Sequence, residues 1–135
     1  MIDVSNPEVL DHFRKQGYPI TDDVVKMIAE YKLPKLDFFS SAPNASTYEE
    51  KVENFKSLIR SLKTGLTEII FHPSVETDNL KTITNSWQQR VWEAKMFSDP
   101  NLTAFFKSEG IVFTNWLDIM KRFKKAANDP ATKKR

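Results

Sequence analysis

A histidine follows an apolar run in the sequence, and its imidazole could do acid–base chemistry near neutral pH. Residues 66–71 are rich in isoleucine and other large apolar side chains, and His72, Pro73 and Ser74 come directly after them. Near-continuous apolarity is typical of a strand covered on both faces of a parallel sheet. Functional groups in such sheets lie at the carboxyl ends of the strands. We therefore interpret His72 as a candidate catalytic group and its two neighbours as candidate substrate contacts. The alternative is a strand-end histidine that hydrogen-bonds to a loop.

A second candidate group lies on a predicted helix over residues 87–97. Arg90 and Glu93 are three positions apart and therefore share one face of that helix. Arg90 could orient a carboxylate or contact substrate, with Glu93 supporting it. The alternative is a surface ion pair, which contributes little to stability. Trp87 on the same helix could stack on a sugar ring, although its place on an apolar stripe favours core packing, as it does for Trp92 and Trp116.

Capping residues and apolar spacing predict the elements that would position these groups. Helices are predicted over residues 7–16, 22–31, 47–63, 79–82, 87–97, 100–109 and 116–124, and strands over 35–39, 66–71 and 111–113. Gly65 and Gly110 are each predicted to end a helix ahead of a strand. Strands separated by helices are usually parallel and joined by right-handed crossovers. The predicted fold class is therefore α/β, with two to three short parallel strands and covering helices.

Composition limits the classes of protein to consider. The chain of 135 residues is 40% apolar, with ten phenylalanines, which predicts one folded domain over residues 1–127 and a flexible basic tail over 128–135. The net charge of +2 gives no reason to propose a nucleic-acid partner. The absence of cysteine excludes disulfides and thiolate sites. No apolar run approaches the roughly 18 residues of a membrane span, and without a signal peptide a cytoplasmic location is the default expectation.

Residues 33–123 resemble the C-terminal part of the YdjC-like carbohydrate deacetylases, which are relatives of the chitooligosaccharide deacetylases and of the polysaccharide deacetylases. The motifs that carry this resemblance are Gly65-Leu66-Thr67-Glu68 before His72-Pro73, Arg90 and Glu93 as R-x-x-E, Phe97-Ser98-Asp99-Pro100, and Gly110-Ile111 before Thr114-Asn115-Trp116. The resemblance implies a (β/α) barrel-like fold, of which this chain would be the C-terminal section. It also implies a divalent metal, zinc or magnesium, that activates water to hydrolyse an N-acetyl group on an oligosaccharide.

The resemblance places the metal ligands and an aspartate base in the N-terminal half of the family's domain. This sequence has only two histidines, His12 and His72, and no ligand pair at metal-binding spacing. We therefore expect this chain alone to bind no cofactor. Asp22 and Asp23 match the family's acidic pair by residue type, but they stand at a predicted helix start, where the helix dipole favours acids.

Our leading interpretation is the C-terminal portion of a metal-dependent carbohydrate deacetylase in which His72 is the general acid. The missing N-terminal half, or a second copy in a homodimer, would complete the site. The alternative is a non-catalytic interaction or regulatory α/β domain that dimerises through an exposed sheet edge.

The leading interpretation predicts that these 135 residues alone do not deacetylate N-acetylglucosamine oligomers. The expected reason is that the chain carries the acid of the reaction but not the metal site. Amine release can be measured with added zinc or magnesium. Sustained turnover would show that the metal site has been misplaced.

Overall fold

The computed structural model describes residues 2–128, and these fold into a mixed α/β structure. The elements in chain order are α1 (Pro7–Lys15), α2 (Asp22–Glu30), β1 (Phe38–Ser41), α3 (Tyr48–Ser61), β2 (Thr67–Ile70), α4 (Asp78–Ile83), α5 (Trp87–Phe97), α6 (Pro100–Ser108) and α7 (Trp116–Asn128). The predicted α/β class is confirmed. Among the helices of this part of the chain, none is long and apolar enough to cross a membrane.

The two strands pair side by side in a parallel sheet. The backbone N–H of Phe38 donates to the carbonyl of Leu66 at 3.2 Å, and that of Ala42 donates to Ile70 at 2.9 Å. The register therefore advances in the same direction along both strands, as parallel pairing requires. The strand predicted over 66–71 is confirmed as β2, and the one predicted over 35–39 begins three residues later, as β1.

The chain divides into two compact units, and the first of them joins three segments. Its described residues are 2–38, 65–67 and 113–128. Val4, Val9 and Leu36 are its buried apolar residues. Ile2 and Leu36 form an isolated parallel bridge. The single domain over residues 1–127 stays a prediction, and the predicted tail lies outside the described residues except for Asn128, which ends α7.

The second unit, residues 39–64 and 68–112, contains the larger core. The side chain of Thr47 accepts a hydrogen bond from the backbone of Glu50 at 3.1 Å and so caps α3. The spacing of apolar residues along α3, α5 and α6 then turns one face of each helix inward. The buried core consists of Phe55, Ile59, Met96, Leu102 and Phe106. This core fixes α3 against α5, which is the arrangement on which the candidate site depends.

The predicted third strand at 111–113 is wrong, and the reason lies at the end of α6. Gly110 has a φ of +71°, and the backbone N–H of Ile111 donates to the carbonyl of Phe106 at 3.0 Å. This is a Schellman motif, which places an apolar residue just after the glycine so that it contacts the helix it follows. Ile111 packs against the core for that reason, whereas the next two residues are 79% and 71% exposed.

Gly65 does not cap α3, contrary to the prediction. The cap of that helix is Leu62, three residues earlier. Gly65 instead has a φ of +150° and lies against the side chain of Asp37, whose carboxylate accepts a hydrogen bond from Leu66 N–H at 2.7 Å. A Cβ atom at Gly65 would lie 2.9 Å from that carboxylate. Gly65 is therefore needed because the side chain of Asp37 lies against its backbone, and not because it ends a helix.

The prediction that Trp116 packs in a core is also wrong. Trp116 and Phe123, on the apolar stripe of α7, are 43% and 38% exposed. Helical spacing shows that a helix has an apolar face, but the elements that pack against that face decide how much of it is covered.

We predict that Gly65→Ala is more destabilising than Gly110→Ala. The first change combines an unfavourable φ with a clash against Asp37, for a loss of about 2–4 kcal/mol in the free energy of unfolding. The second meets no atom within 4 Å and should cost only about 1–2 kcal/mol for its left-handed backbone. Urea unfolding followed by circular dichroism measures both. Equal losses would contradict the role given to Asp37.

Candidate functional site

A buried ion pair between α3 and α5 is the centre of the candidate site. Lys51 Nζ lies 3.1 Å from Glu93 Oε1, and the two residues are 0% and 5% exposed. Lys51 stands one turn before Phe55 on the inward face of α3, and Glu93 stands one turn before the core residues of α5. The packing that buries those apolar neighbours therefore buries the two charges as well.

The ammonium group of Lys51 has an acceptor for each of its three protons. Besides Glu93, Nζ donates to the carbonyl of Pro43 at 3.0 Å and to Gln89 Oε1 at 3.1 Å. A buried ammonium is costly unless its hydrogen-bonding capacity is filled in this way. Lys51 is therefore held in one position by the loop before α3 and by two side chains of α5.

Gln89 anchors the loop that precedes α3. Its Nε2 donates to the carbonyl of Ala45 at 2.7 Å, and its Oε1 accepts from the N–H of the same residue at 3.2 Å. This two-point pairing copies the hydrogen bonding of a neighbouring strand. The loop over 43–45 is thereby fixed to α5, with Lys51 bonded to both.

The second oxygen of Glu93 holds the backbone of the candidate acid. The N–H of His72 donates to Glu93 Oε2 at 2.6 Å. Two residues later, the N–H of Ser74 donates to the carbonyl of Arg90 at 3.1 Å. The segment after β2 is thus tied to α5 at two points, although its side chains face outward. His72 is exposed, and its imidazole makes no hydrogen bond within the part of the chain that the structure describes.

Glu93, which was predicted to support Arg90, has other partners in the structure. The carboxylate of Glu93 contacts Lys51 and the N–H of His72, because a buried ammonium and a buried amide both need its oxygens. Arg90 contributes its carbonyl, and its half-buried guanidinium has no ion pair within residues 2–128. The three residues are nevertheless brought together, because Glu93 accepts a hydrogen bond from the N–H of His72 and Arg90 accepts one from the N–H of Ser74.

The predicted substrate contacts lie in the same region of the second unit. Pro73 is exposed, and Ser74 is half-buried with its hydroxyl donating to the carbonyl of His72 at 3.4 Å. Trp87 is half-buried at the start of α5, with Lys81 Nζ 5.0 Å from its ring centroid. A hydrogen bond to Glu76, together with the negative charge of that residue, raises the pKa of the Lys81 amine. The substrate roles of these residues stay predictions.

Sequence reasoning missed Lys51 and Gln89, although a signal was present. Lys51 falls four residues before Phe55, and Gln89 falls four residues before Glu93, so each occupies a position on an inward helical stripe. A polar residue at such a position needs a buried partner. Opposite charges at the inward positions of two neighbouring helices would have indicated this pair.

The described residues do not fit the metal that the family resemblance implies. Among residues 2–128, no three histidine, aspartate or glutamate side chains come together in a group that could hold a metal ion. Asp22 lies at the start of α2 and pairs with Arg14 at 3.0 Å. We therefore assign no step of the chemistry to a metal.

Comparison with known proteins identifies the relatives of this region. The family described as YdjC-like protein matches residues 7–108 of the chain. A carbohydrate deacetylase from Thermoanaerobacter pseudethanolicus is 35% identical over 66 residues. That match covers 49% of this chain and 26% of the relative, so it spans about a quarter of the length of that protein. No solved structure gives a significant match.

We predict that Lys51→Met lowers the free energy of unfolding by about 3–5 kcal/mol, because it leaves a buried carboxylate without its cation. Lys56→Met is the matched control, since it removes a half-buried lysine from the same helix whose contacts are an ion pair with the exposed Glu53 at 2.9 Å and a contact with the Phe105 ring at 5.9 Å. Chemical unfolding of both variants tests this. Equally small losses would show that the buried pair is not formed in solution.

Proposed function

Because the chain belongs to the YdjC-like protein family, we propose that it is the region of a carbohydrate deacetylase that supplies His72 as the general acid. The proposal rests on a contrast between the backbone and the side chain of His72. The backbone of His72 is fixed by a buried carboxylate, whereas its imidazole is exposed and unbonded within the described chain. The name of the relative, a carbohydrate deacetylase, supports an acetylated carbohydrate as the substrate class.

The chemistry of deacetylation gives His72 a defined task. When water adds to the carbonyl carbon of an N-acetyl group, the carbon–nitrogen bond breaks only if the departing amine receives a proton. An imidazolium at the edge of the site can donate that proton, since histidine titrates near neutral pH. Such proton transfer contributes roughly 10²- to 10⁴-fold to a rate. His72 is the residue of this chain to which we assign it.

Neighbouring side chains would bind the sugar and complete the site. Arg90 has a half-buried guanidinium that would bind a carboxylate of the site or the substrate, and Trp87 would present its ring to a sugar face. Pro73 and Ser74 would line the approach to His72. The water-activating base and the implied zinc or magnesium would come from a further segment, either an N-terminal half of the domain or a second copy. In the proposed (β/α) barrel-like fold, β1 and β2 would be two of the parallel strands.

We predict that an N-acetylglucosamine oligomer perturbs the imidazole resonances of His72 and leaves those of His12 unchanged. The two histidines of the chain give one signal set each, and His12 lies on α1 beside the side chain of Gln16. Titration of the isotopically labelled protein with the oligomer, followed by NMR, measures both responses together.

The matched variants are His72→Gln and His12→Gln. With His72→Gln, addition of the oligomer should change no histidine resonance. With His12→Gln, the resonances of His72 should still change. An unchanged His72 resonance at saturating oligomer, or an equal response of both histidines, would contradict the proposed function.

A second candidate function is a non-catalytic domain that dimerises through its sheet. It is favoured by the free side of β2, which pairs with β1 alone among the strands of the described chain. The hydroxyl of Thr67 in β2 is also buried without a hydrogen-bond partner in that part of the protein. Light scattering over a range of concentrations tests this alternative, and a monomer at all of them would exclude it.

A further inference from the structure

We propose that Lys51 is a positioning residue for His72. Lys51 does not contact His72, but it fixes the backbone of His72 through Glu93. The inference rests on the proposed function, because it concerns the placement of the same acid. Lys51 is completely buried, and the apolar packing of α3 does not require a charge at this position.

The first step is that Lys51 orients the carboxylate of Glu93. Its ammonium is held by two other acceptors, Pro43 O and Gln89 Oε1, so its position is set independently of Glu93. One carboxylate oxygen is bound by this fixed ammonium at 3.1 Å. Because the carboxylate is planar, fixing one oxygen restricts where the other can lie.

The second step is that the oriented carboxylate fixes the peptide of His72. The remaining oxygen, Oε2, accepts from His72 N–H at 2.6 Å, a short distance typical of a hydrogen bond to a charged acceptor. The hydrogen bond from Ser74 to the carbonyl of Arg90 holds the chain on the other side of Pro73. Only the two side-chain torsions of His72 then remain to direct its imidazole.

The third step explains why the cation is required. Glu93 is 5% exposed, and a buried carboxylate with a single amide donor would be left largely unsatisfied. Without Lys51, Glu93 would gain by turning toward water, and the peptide of His72 would lose its acceptor. A general acid must lie within hydrogen-bond reach of the leaving nitrogen, and a misplacement of about 1 Å can cost roughly 100-fold in rate.

The test uses a double variant that removes both charges and keeps the volume. Lys51→Met with Glu93→Met replaces a buried ion pair by apolar groups, a change that folded proteins often tolerate. The control is Arg60→Met with Glu109→Met, which removes a partly exposed ion pair of the same unit at 3.2 Å. NMR of the whole chain reports the amide and imidazole signals of His72, with His12 as the internal reference.

The expected result is an upfield shift of the His72 amide proton, which has lost a charged acceptor, together with changed imidazole signals. The signals of His12 should not move, and the control variant should leave the signals of both histidines unchanged. Because Glu93 itself binds the His72 amide, the part played by Lys51 is isolated by Lys51→Met alone, which keeps that carboxylate and should give the same His72 shift. Unchanged His72 signals in either folded variant would overturn the proposal.

A second variant keeps the test decisive if the double variant does not fold. Glu93→Gln leaves Lys51 in place but offers only one oxygen, so either Lys51 or the His72 N–H loses its acceptor. In either arrangement the His72 amide no longer has a charged acceptor, so an upfield shift of its proton is expected, and its absence in the folded variant would overturn the inference. Failure of the proposed function gives a different result, because His72 of the unsubstituted protein would then not respond to the oligosaccharide.

Discussion

A buried ammonium group needs an acceptor for each of its three protons, and this requirement fixes the arrangement of several segments of the second unit. Lys51 obtains its acceptors from the loop before its own helix and from two side chains of α5. The loop, the helix and the segment after β2 are therefore fixed relative to one another by one charge. Apolar packing brings α3 and α5 together, but it does not specify the position of the His72 peptide after β2. The ion pair between Lys51 and Glu93 specifies that position.

The energetic role of such a pair differs from its structural role. Removing two charges from water costs several kcal/mol per ion, which their attraction roughly offsets, so an apolar pair of the same size would stabilise the fold about as well. The pair between Lys51 and Glu93 is better explained by the specific position that it gives to the backbone of His72. Its geometry leaves one carboxylate oxygen to bind His72 N–H at 2.6 Å, which no apolar side chain can do. The exposed imidazole is thereby attached to a buried part of the unit.

Local sequence signals predicted the elements whose determinants are local. Capping residues and the apolar spacing predicted α3, and α5 has the predicted bounds, Trp87–Phe97. The prediction at 111–113 failed because Ile111 has an alternative reason to be apolar, namely its contact after the glycine cap of α6. Gly65 was misinterpreted because its partner, Asp37, lies 28 positions away in the sequence. The site shows the same limit, since His72 could be predicted from a strand end, whereas Lys51 and Glu93 meet only through the packing of two helices.

The most direct test of this account is the hydrogen-exchange rate of the His72 amide at neutral pH. Val75, three residues later, is 79% exposed and has no hydrogen bond on its N–H among the described residues, so it provides a reference in the same segment. We predict that His72 N–H is strongly protected, as the core amides of α5 are, while Val75 exchanges at the rate of a free peptide. If both amides exchange equally fast, the buried carboxylate does not hold His72 and the central claim is wrong.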